Sequence, residues 1–345
     1  MPTTYAIPDG RTVMAATTFN GVTGGGTVVN TVNGVGFQPD FVWMKCRSVS
    51  RNHELADSVR GTAYALFSNL TNAEVSDTRV SAFNSNGFSY GTNSNSAVTG
   101  DTEVGWQWKA GGTAVSNTSG SITSQVSANT TAGFSVVTYT GTGANATVGH
   151  GLGVALNMVI IKSRTNGATD WQTWHSGLTS ASYAVYLNLT NAQASSSLYW
   201  NSTAPTSTVF SIGTAGAINQ SANTYVAYCF AAVAGYSAFG SYTGNGSADG
   251  PFVYTGFRPR FLLTKNISAS EGWEIMDTSR NTYNAVNSLL EANLSNAEIT
   301  STSRDVDYLS NGFKVRNTST AMNTNGSTYI YAAFAETAFK FSNAR

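Results

Sequence analysis

The amino-acid sequence predicts an all-β protein built from three β-sandwich domains that are related by an internal repeat. Composition is the first indication. Only 10% of the 345 residues are charged, against about 25% in an average soluble protein, so Ser, Thr, Asn and Gly must supply most of the polar surface. Threonine favours strands, whereas glycine and asparagine favour tight turns. The sequence lacks the Leu-, Glu- and Lys-rich runs that are typical of long amphipathic helices.

Five features recur in the same order three times along the chain. They are an aromatic–X–Gly signal, an apolar strand that ends in lysine, a segment that begins with histidine or tryptophan, an Asn-Leu-Thr/Ser-Asn-Ala pentapeptide, and a closing aromatic strand. The pentapeptides start at Asn69, Asn188 and Asn293, roughly 105–120 residues apart. This period fits a β-sandwich domain and exceeds the about 20–50 residues of a solenoid repeat. We therefore predict tandem domains at 1–115, 116–233 and 234–345.

Within each repeat, short strands alternate with turns. Asn-Gly pairs predict hairpins because both residues tolerate positive φ. They occur at Asn33-Gly34, Asn86-Gly87, Asn311-Gly312 and Asn325-Gly326, and the glycine run 24–26 also reads as a hairpin rather than a phosphate loop. Many short strands separated by such turns indicate a two-sheet sandwich or jelly roll. The strands at 41–45 and 158–162 are apolar throughout, so we expect both of their faces to be covered.

The joints between the repeats are predicted to be short. Residues 111–119 read as a linker, and Ile122, Ser124, Val126 and Ala128 alternate with polar residues as in a half-buried strand. Between the second and third repeats only a few residues separate Ala232 from the strand that begins at Tyr236. We expect a rigid rod or a compact cluster of three domains.

The pentapeptide contains an Asn-X-Ser/Thr sequon, but a Ser/Thr/Asn-rich chain produces sequons by chance. The start of the sequence, MPTTYAIPDGRT, lacks the basic and apolar regions of a signal peptide, so we expect synthesis in the cytoplasm without glycosylation. We predict instead that the pentapeptide ends a strand, that its leucine faces the core, and that its second asparagine caps the turn. Those asparagines are Asn72, Asn191 and Asn296.

Charge and cysteine content restrict the partners. The 18 basic and 18 acidic residues cancel and form no basic cluster, so nucleic-acid binding is not expected. Nowhere are there 18 consecutive apolar residues, so membrane insertion is not expected either. Cys46 and Cys229 lie in apolar strands of different repeats, which predicts two buried free thiols. No cofactor or metal site is predicted, although the Asn/Asp-rich turn at 245–249 leaves calcium open.

The strongest catalytic candidates are two carboxylate pairs, Glu54/Asp57 and Glu274/Asp277, which would suit a glycosidase. Their counterparts in repeat two are Gln172 and His175, so the pair is not essential to the repeat. Each aspartate precedes an arginine by three residues, and we predict local ion pairs, Asp57 with Arg60 and Asp277 with Arg280. We therefore expect a protein that is not an enzyme, with a glycosidase as the remaining alternative.

Three tryptophans lie in polar or loop-like sequence. An exposed indole could stack on the apolar face of a sugar or pack against a neighbouring subunit, and partial burial against a loop is the other explanation. The candidate glycan or interface contacts are Trp171, Trp200 and Trp273.

Taken together, these segments resemble a family of phage virion proteins built from concanavalin A-like (laminin G-like) sandwich repeats. The similarity is carried by segments such as PDGRTVMAATTFNG (8–21), GFQPDFVWMKCRS (36–48), SITSQVSANTTAGFSVVTYTGTG (121–143) and VGHGLGVALNMVIIKSR (148–164). One departure is Leu156, where the family usually has proline. The resemblance covers essentially the whole chain. It implies a concanavalin A-like fold and a place in a virion, but it transfers no binding residues.

The resemblance implies a structural protein of a tailed-phage particle, specifically a tail-fibre or receptor-binding component that assists host attachment. Its expected partners are other virion proteins, further copies of the same chain, with a trimer favoured, and a host surface glycan. A capsid-surface decoration or head-fibre protein is the alternative within this class. A stand-alone carbohydrate-binding lectin module is the alternative from another class.

Overall fold

The computed structural model describes residues 5–21, 30–76, 80–91 and 98–336, and it confirms the predicted all-β fold. Antiparallel ladders join the strands of every described sheet. The helices in these ranges are single turns of three or four residues. The predicted hairpin at 24–26 lies outside the described residues.

Repeat one begins with a 3-10 turn, Gly10–Thr12, and forms a four-stranded sheet of order β1-β9-β3-β4, a three-stranded sheet of order β2-β8-β7, and the pair β5-β6. Its strands are β1 (Met14–Asn20), β2 (Asn30–Asn33), β3 (Phe41–Cys46), β4 (Glu54–Asp57), β5 (Tyr64–Ala65), β6 (Val75–Ser76), β7 (Val80–Asn84), β8 (Gly87–Tyr90) and β9 (Thr102–Trp108).

Repeat two forms an eight-stranded sheet of order β10-β11-β12-β19-β14-β15-β16-β17 and the pair β13-β18. Its elements are β10 (Val115–Asn117), β11 (Ser124–Asn129), β12 (Phe134–Thr140), β13 (Ala146–Gly149), β14 (Met158–Ser163), β15 (Gln172–His175), β16 (Tyr183–Tyr186), β17 (Ala194–Ser195), α1 (Ser197–Trp200), β18 (Val209–Ile212), α2 (Gly216–Asn219) and β19 (Thr224–Phe230).

Repeat three forms a six-stranded sheet of order β20-β28-β22-β23-β24-β25 and a three-stranded sheet of order β21-β27-β26. Its elements are β20 (Ser237–Thr243), β21 (Phe252–Tyr254), β22 (Pro259–Asn266), β23 (Trp273–Asp277), β24 (Ser288–Glu291), β25 (Ile299–Thr300), a 3-10 turn (Thr302–Arg304), β26 (Val306–Leu309), β27 (Gly312–Val315), α3 (Thr320–Asn323) and β28 (Thr328–Ala335).

One strand order is therefore present three times. In each repeat the closing aromatic strand lies between the strand that carries the aromatic–X–Gly signal and the apolar strand that contains the recurring lysine. The three orders are β1-β9-β3, β12-β19-β14 and β20-β28-β22. Repeat two adds β10 and β11 outside this unit. The sequence predicted a short linker at 111–119, but residues 115–117 form strand β10, which pairs with β11. The predicted strand around Ser124 and Val126 is β11. The exact domain boundaries stay a prediction.

The large sheet of each repeat is covered on both sides, which explains its apolar sequence. In repeat one, Val42 and Met44 of β3 pack against the small sheet of the same repeat. The alternate residues Phe41 and Trp43 belong to an apolar cluster that includes buried side chains from all three repeats. All of β3 is consequently buried, as the sequence predicted, and the shared cluster joins the repeats into one compact core.

The three repeats surround a common centre. The last aromatic residue of each closing strand is Trp108, Phe230 or Phe334, and these equivalent rings contact one another pairwise at edge-to-face angles. Their centroids are separated by 5.7–6.3 Å, within the range that favours such aromatic pairs. The rings mark an approximate threefold arrangement within a single chain.

The predicted Asn-Gly turns at Asn86-Gly87 and Asn311-Gly312 lie in two-residue hairpins. In both cases the glycine is the first residue of the returning strand, opposite Asn84 or Leu309. A Cβ at Gly87 would approach the Val32 carbonyl oxygen to 1.9 Å, and one at Gly312 would approach the Val253 oxygen to 2.1 Å. Close backbone approach therefore requires glycine at these two positions.

Candidate functional site

The three tryptophans that the sequence singled out are buried, which agrees with the alternative of burial and not with an exposed glycan contact. Trp171, Trp200 and Trp273 are 0%, 2% and 1% exposed, and none of them can stack on a sugar in this conformation. Trp200 belongs to the apolar core of repeat two. Trp171 and Trp273 instead make contacts between repeats, which their polar neighbours in the sequence did not indicate.

The first set of contacts between repeats is made by a ring N–H group of each repeat. Each of these groups donates to a backbone carbonyl oxygen of another repeat, and the acceptor residue lies two positions before the pentapeptide of that repeat. The three hydrogen bonds are Trp171 Nε1 to Phe67 O (2.8 Å), Trp273 Nε1 to Tyr186 O (2.8 Å) and His53 Nε2 to Glu291 O (2.9 Å). Repeat two therefore contacts repeat one, repeat three contacts repeat two, and repeat one contacts repeat three. The three junctions close a ring.

His53 replaces tryptophan in this set and is held in one tautomer. Its Nδ1 accepts the indole N–H of Trp43 at 2.9 Å, so Nε2 carries the proton that is donated to Glu291 O. Burial lowers the pKa of His53 well below its usual value. A neutral imidazole thus takes the place of an indole as a buried donor.

A buried lysine forms the second set of contacts. Lys162 Nζ donates to the carbonyl oxygen of Thr71 at 2.8 Å, and Lys265 Nζ donates to that of Thr190 at 3.0 Å. Both acceptors are the third residue of a pentapeptide in another repeat. The equivalent Lys45 is also buried, and burial lowers the pKa of all three lysines to about 8.

The predicted Asp–Arg ion pairs are present and buried. Arg60 Nε lies 2.5 Å from Asp57 Oδ2, and Arg280 Nε lies 2.6 Å from Asp277 Oδ2. The other oxygen of each aspartate accepts backbone N–H groups two and three residues ahead. As predicted from the spacing, each pair therefore fixes a local turn.

These ion pairs also belong to the junctions, which the sequence did not reveal. Tyr228 of repeat two donates its hydroxyl to Asp57 Oδ2 at 2.9 Å, and Trp106 of repeat one donates its indole N–H to Asp277 Oδ2 at 2.9 Å. At the third junction, between repeats two and three, the residue equivalent to the aspartates is a donor and not an acceptor. His175 Nδ1 accepts the Gly177 N–H, so its Nε2 donates to Tyr331 O at 3.0 Å.

A glutamate bridges two arginines at each of the two charged junctions. Glu74 pairs with Arg60 of its own repeat and Arg164 of repeat two, and Glu298 pairs with Arg280 of its own repeat and Arg47 of repeat one. At the third junction the equivalent residues are all neutral, namely His175, Leu178, Gln193 and Ile267. The four positions change together because removing one partner alone would leave a buried charge unpaired.

The carboxylates proposed for a glycosidase do not form a catalytic pair. Glu54 and Asp57 are three residues apart on β4, and Glu274 and Asp277 are three apart on β23, so the members of each pair point to opposite faces of a strand. All four are buried. Burial raises the pKa of Glu274 to about 8, and Arg304 Nε at 3.7 Å opposes this without reaching hydrogen-bond distance.

The first asparagine of the pentapeptide, and not the second, makes the structural hydrogen bonds. The side-chain oxygens of Asn69, Asn188 and Asn293 accept the backbone N–H groups of His53, Trp171 and Trp273. Asn72, Asn191 and Asn296 are exposed, and their side chains form no hydrogen bond with the described part of the chain. The pentapeptide leucines are half-buried. The first asparagine fixes the residue that contacts the next repeat.

The centre of the ring holds no ligand-sized cavity. Apolar and aromatic side chains from all three repeats surround a void of about 20 Å³, which is room for roughly one water molecule. A cluster of possible metal ligands, Cys46, Asp101 and Glu103, is buried in repeat one, but Arg51 already pairs with Asp101 at 2.7 Å. Cys46 and Cys229 are buried free thiols, as predicted.

Two exposed aromatic residues lie side by side on one strand of repeat three. Phe252 and Tyr254 of β21 flank the buried Val253 and are 45% and 68% exposed. The sequence analysis missed them, although the alternation in Phe252-Val253-Tyr254 was a possible signal. The aligned positions around Val32 and Val148 hold Thr31 and Asn33 in repeat one, and Thr147 and Gly149 in repeat two. Paired aromatics at this place belong to repeat three alone.

Among the described residues, no helix is long and apolar enough to cross a membrane. No curated protein and no solved structure is similar enough to this chain to count as a match. A family model described as a domain of unknown function, DUF7483, matches residues 15–338 and thus nearly the whole chain. The protein therefore belongs to the DUF7483 family.

Proposed function

We propose that this protein is a structural component of a tailed-phage particle, specifically a tail-fibre or receptor-binding component. The observation that supports this role is the closed ring of repeats. Three equivalent sets of buried contacts join the repeats, and one apolar cluster runs through all of them. Such an arrangement suits a part that must keep its shape outside a cell.

The ring achieves this rigidity without disulfides. Residues from opposite ends of the chain are fixed to each other, as in the bidentate pair of Arg47 with Glu298, which are 251 positions apart. Opening any junction would expose buried charged groups and apolar surface together. A disulfide-free particle protein synthesised in the cytoplasm would gain durability from this design.

An enzymatic role has less support. The four candidate carboxylates are buried and point to opposite faces of their strands. The wild-type protein is expected to release no reducing sugar from host polysaccharide. If it did, and if Glu54→Gln or Glu274→Gln abolished the release, the proposal of a non-enzymatic role would be wrong.

The position in a particle is tested by electron microscopy with gold-labelled antibodies raised against the folded chain. Purified particles from the producing culture are the sample, and antibodies from the unimmunised animal are the control. Label at the tail would support the proposal. Label on the capsid would replace it with the decoration or head-fibre alternative, and particles without label would contradict both.

We also propose that the chain assembles as a homo-oligomer, with three copies favoured. Light scattering measures this directly, because one chain has a mass of 36.2 kDa and a trimer would have three times that mass. A monomer at micromolar concentration would contradict the oligomer. The only threefold arrangement would then be the approximate one that the three repeats form within a single chain.

A further inference from the structure

We propose that repeat three carries a binding platform for a neutral glycan on the outer face of its small sheet. The platform consists of Phe252, Tyr254, Gly312, Lys314 and Asp249. This inference deepens the proposed receptor-binding function and rests on it, since it names the chemistry through which a host surface would be contacted. It moves the glycan contact from the buried tryptophans to a surface that the sequence analysis did not identify.

The two aromatic rings point outward from the same side of one strand. Phe252 and Tyr254 are two residues apart on β21, and Val253 between them is buried in the core of repeat three. Alternate side chains of a strand lie about 7 Å apart on the same face. The rings thus form two neighbouring apolar surfaces on a rigid support, which suits stacking against successive sugar rings.

The neighbouring strand leaves space beside Phe252. Gly312 of β27 lies opposite Tyr254 in the ladder, and a Cβ at position 312 would stand 3.0 Å from Cε2 of Phe252. The ring of Phe252 therefore lies against the backbone of Gly312, and Lys314 is its direct partner in the ladder. A ligand that stacks on the two rings therefore meets no side chain at position 312.

Polar groups with a balanced charge border the aromatic rings. Lys314 Nζ and Arg316 Nη1 lie 2.9 Å and 3.3 Å from Asp249 Oδ1, and Arg316 Nε lies 3.4 Å from Asp307 Oδ2. The Asp249 side chain is 78% exposed, so it remains accessible to a ligand. Two cations and two carboxylates supply both donors and acceptors for sugar hydroxyls. Because their charges cancel, a neutral glycan fits better than a charged one.

The platform is too small for a stable protein partner but is specific to repeat three. A standard protein interface buries about 800 Å² on each side, far more than two aromatic side chains offer. In repeat two, Ser121 and Ile122 bond to the equivalent strand β13 along its free edge. No described segment pairs with the corresponding edge of β21. Repeat three thus combines an open strand edge with exposed aromatic residues, and neither of the other two repeats has this combination among the described residues.

The test uses the full chain on an array of oligosaccharides, followed by calorimetry. Maltohexaose, cellohexaose and laminarihexaose are the neutral probes, and oligogalacturonate and chitosan hexamer are the charged ones. The wild type is expected to bind at least one neutral probe in preference to both charged probes. Phe252→Ala and Tyr254→Ala are each expected to weaken this binding about tenfold, whereas Tyr254→Phe keeps the ring and most of the affinity.

Asn33→Ala is the matched control, since Asn33 is exposed and aligns with Tyr254. It should bind as the wild type does. Thermal melting of each variant verifies that the fold is intact. The proposal is overturned if the wild type binds no neutral probe, if it prefers a charged probe, or if both alanine variants bind normally. Antibody labelling of particles is independent of this result, so failure of the platform and failure of the particle role are distinguishable.

Discussion

Lys162 Nζ donates a hydrogen bond to the carbonyl oxygen of Thr71 at 2.8 Å, so the pentapeptide of repeat one holds a buried ammonium group of repeat two. The same ammonium donates to the carbonyl and hydroxyl oxygens of Thr169 at 2.8 Å and 3.0 Å. All three of its donors are therefore used. Lys162 and Lys265 are therefore junction residues, whereas the equivalent Lys45 of repeat one donates to the carbonyl oxygen of the adjacent Cys46.

Replacing Lys162 by methionine should destabilise the protein. Methionine has a similar length, but it leaves the carbonyl oxygens of Thr71 and Thr169 without this donor. We expect a loss of about 2 kcal/mol in the free energy of unfolding, measured by urea denaturation. Lys109→Met is the control, because the Lys109 side chain is exposed. A Lys162→Met variant that equals or exceeds the wild type would mean that burying the ammonium costs more than its hydrogen bonds contribute.

The three buried lysines also predict that stability increases with pH between 8 and 9. Burial lowers the pKa of Lys45, Lys162 and Lys265 from 10.5 to about 8. Above pH 8 the unfolded chain therefore binds more protons than the folded protein, so the free energy of unfolding rises with pH. Burial also raises the pKa of the two cysteine thiols from 9.0 and that of Glu274 to about 8. These groups act in the opposite direction, but between pH 8 and 9 each differs less in bound protons between the folded and unfolded states than each lysine does.

Urea denaturation at pH 8.0 and 9.0, at constant ionic strength, measures this slope. The Lys162→Met variant should show a shallower slope because one of the three contributing groups is absent. An equal slope in the variant and the wild type would contradict the assignment of the effect to these lysines.

The two asparagines of the second pentapeptide should respond differently to substitution. Asn188 is buried. Its side chain accepts the backbone N–H of Trp171 at 2.9 Å and donates to the Asp170 carboxylate at 2.8 Å. Asn188→Ala should lower the free energy of unfolding by about 1–3 kcal/mol. Asn191→Ala should change it by less than about 0.5 kcal/mol, since this side chain is exposed. An Asn188→Ala variant that melts at the same temperature as the wild type would show that Asn188 does not support the junction.

Local patterns explain which features could be predicted from the sequence. The all-β fold, the repeated order of features and the fully buried strand β3 follow from composition, turn signals and apolar runs. The ion pair of Asp57 with Arg60 was predictable because its two members are three residues apart. In each of these cases the signal is a local stretch of sequence, even though side chains of the other repeats complete the burial of β3.

Contacts between repeats explain what the sequence could not reveal. Polar neighbours made Trp171 look exposed, but its indole is covered by a carbonyl group 104 positions earlier in the chain. The pentapeptide likewise contains two asparagines that look alike in sequence. Only the backbone path distinguishes Asn188, which faces Trp171, from Asn191, which faces solvent. Periodicity and spacing contain no information about partners at such distances.

A hydroxyl that crosses the first junction should contribute measurably to stability. Tyr228 donates to Asp57 at 2.9 Å and accepts from Arg60 at 3.1 Å, and all three side chains are buried. Tyr228→Phe keeps the ring and should cost about 1.5–3 kcal/mol, because the lost hydrogen bonds involve charged groups. Tyr254→Phe, at an exposed position, is the matched control. The expected result is a lower urea midpoint for Tyr228→Phe only, and equal midpoints would contradict a role for the hydroxyl.

Glu274 should make the stability of the protein depend on pH below neutrality. Burial raises its pKa from 4.5 to about 8, so the folded protein binds a proton that the unfolded chain has already lost. This contribution is fully present below pH 4.5 and is lost as the pH rises through 8. Glutamine cannot ionise, and Glu274→Gln should therefore remove the dependence without changing the shape of the side chain.

Urea denaturation of the wild type and Glu274→Gln at pH 5 and pH 8 tests this directly, with the half-exposed Glu336→Gln as control. The two proteins should be similarly stable at pH 5. At pH 8 the glutamine variant should be more stable by on the order of 3 kcal/mol. If Arg304, 3.7 Å away, instead held Glu274 ionised, the glutamine variant would be the less stable protein at pH 8. The sign of the difference therefore decides whether burial or the neighbouring guanidinium controls this carboxyl group.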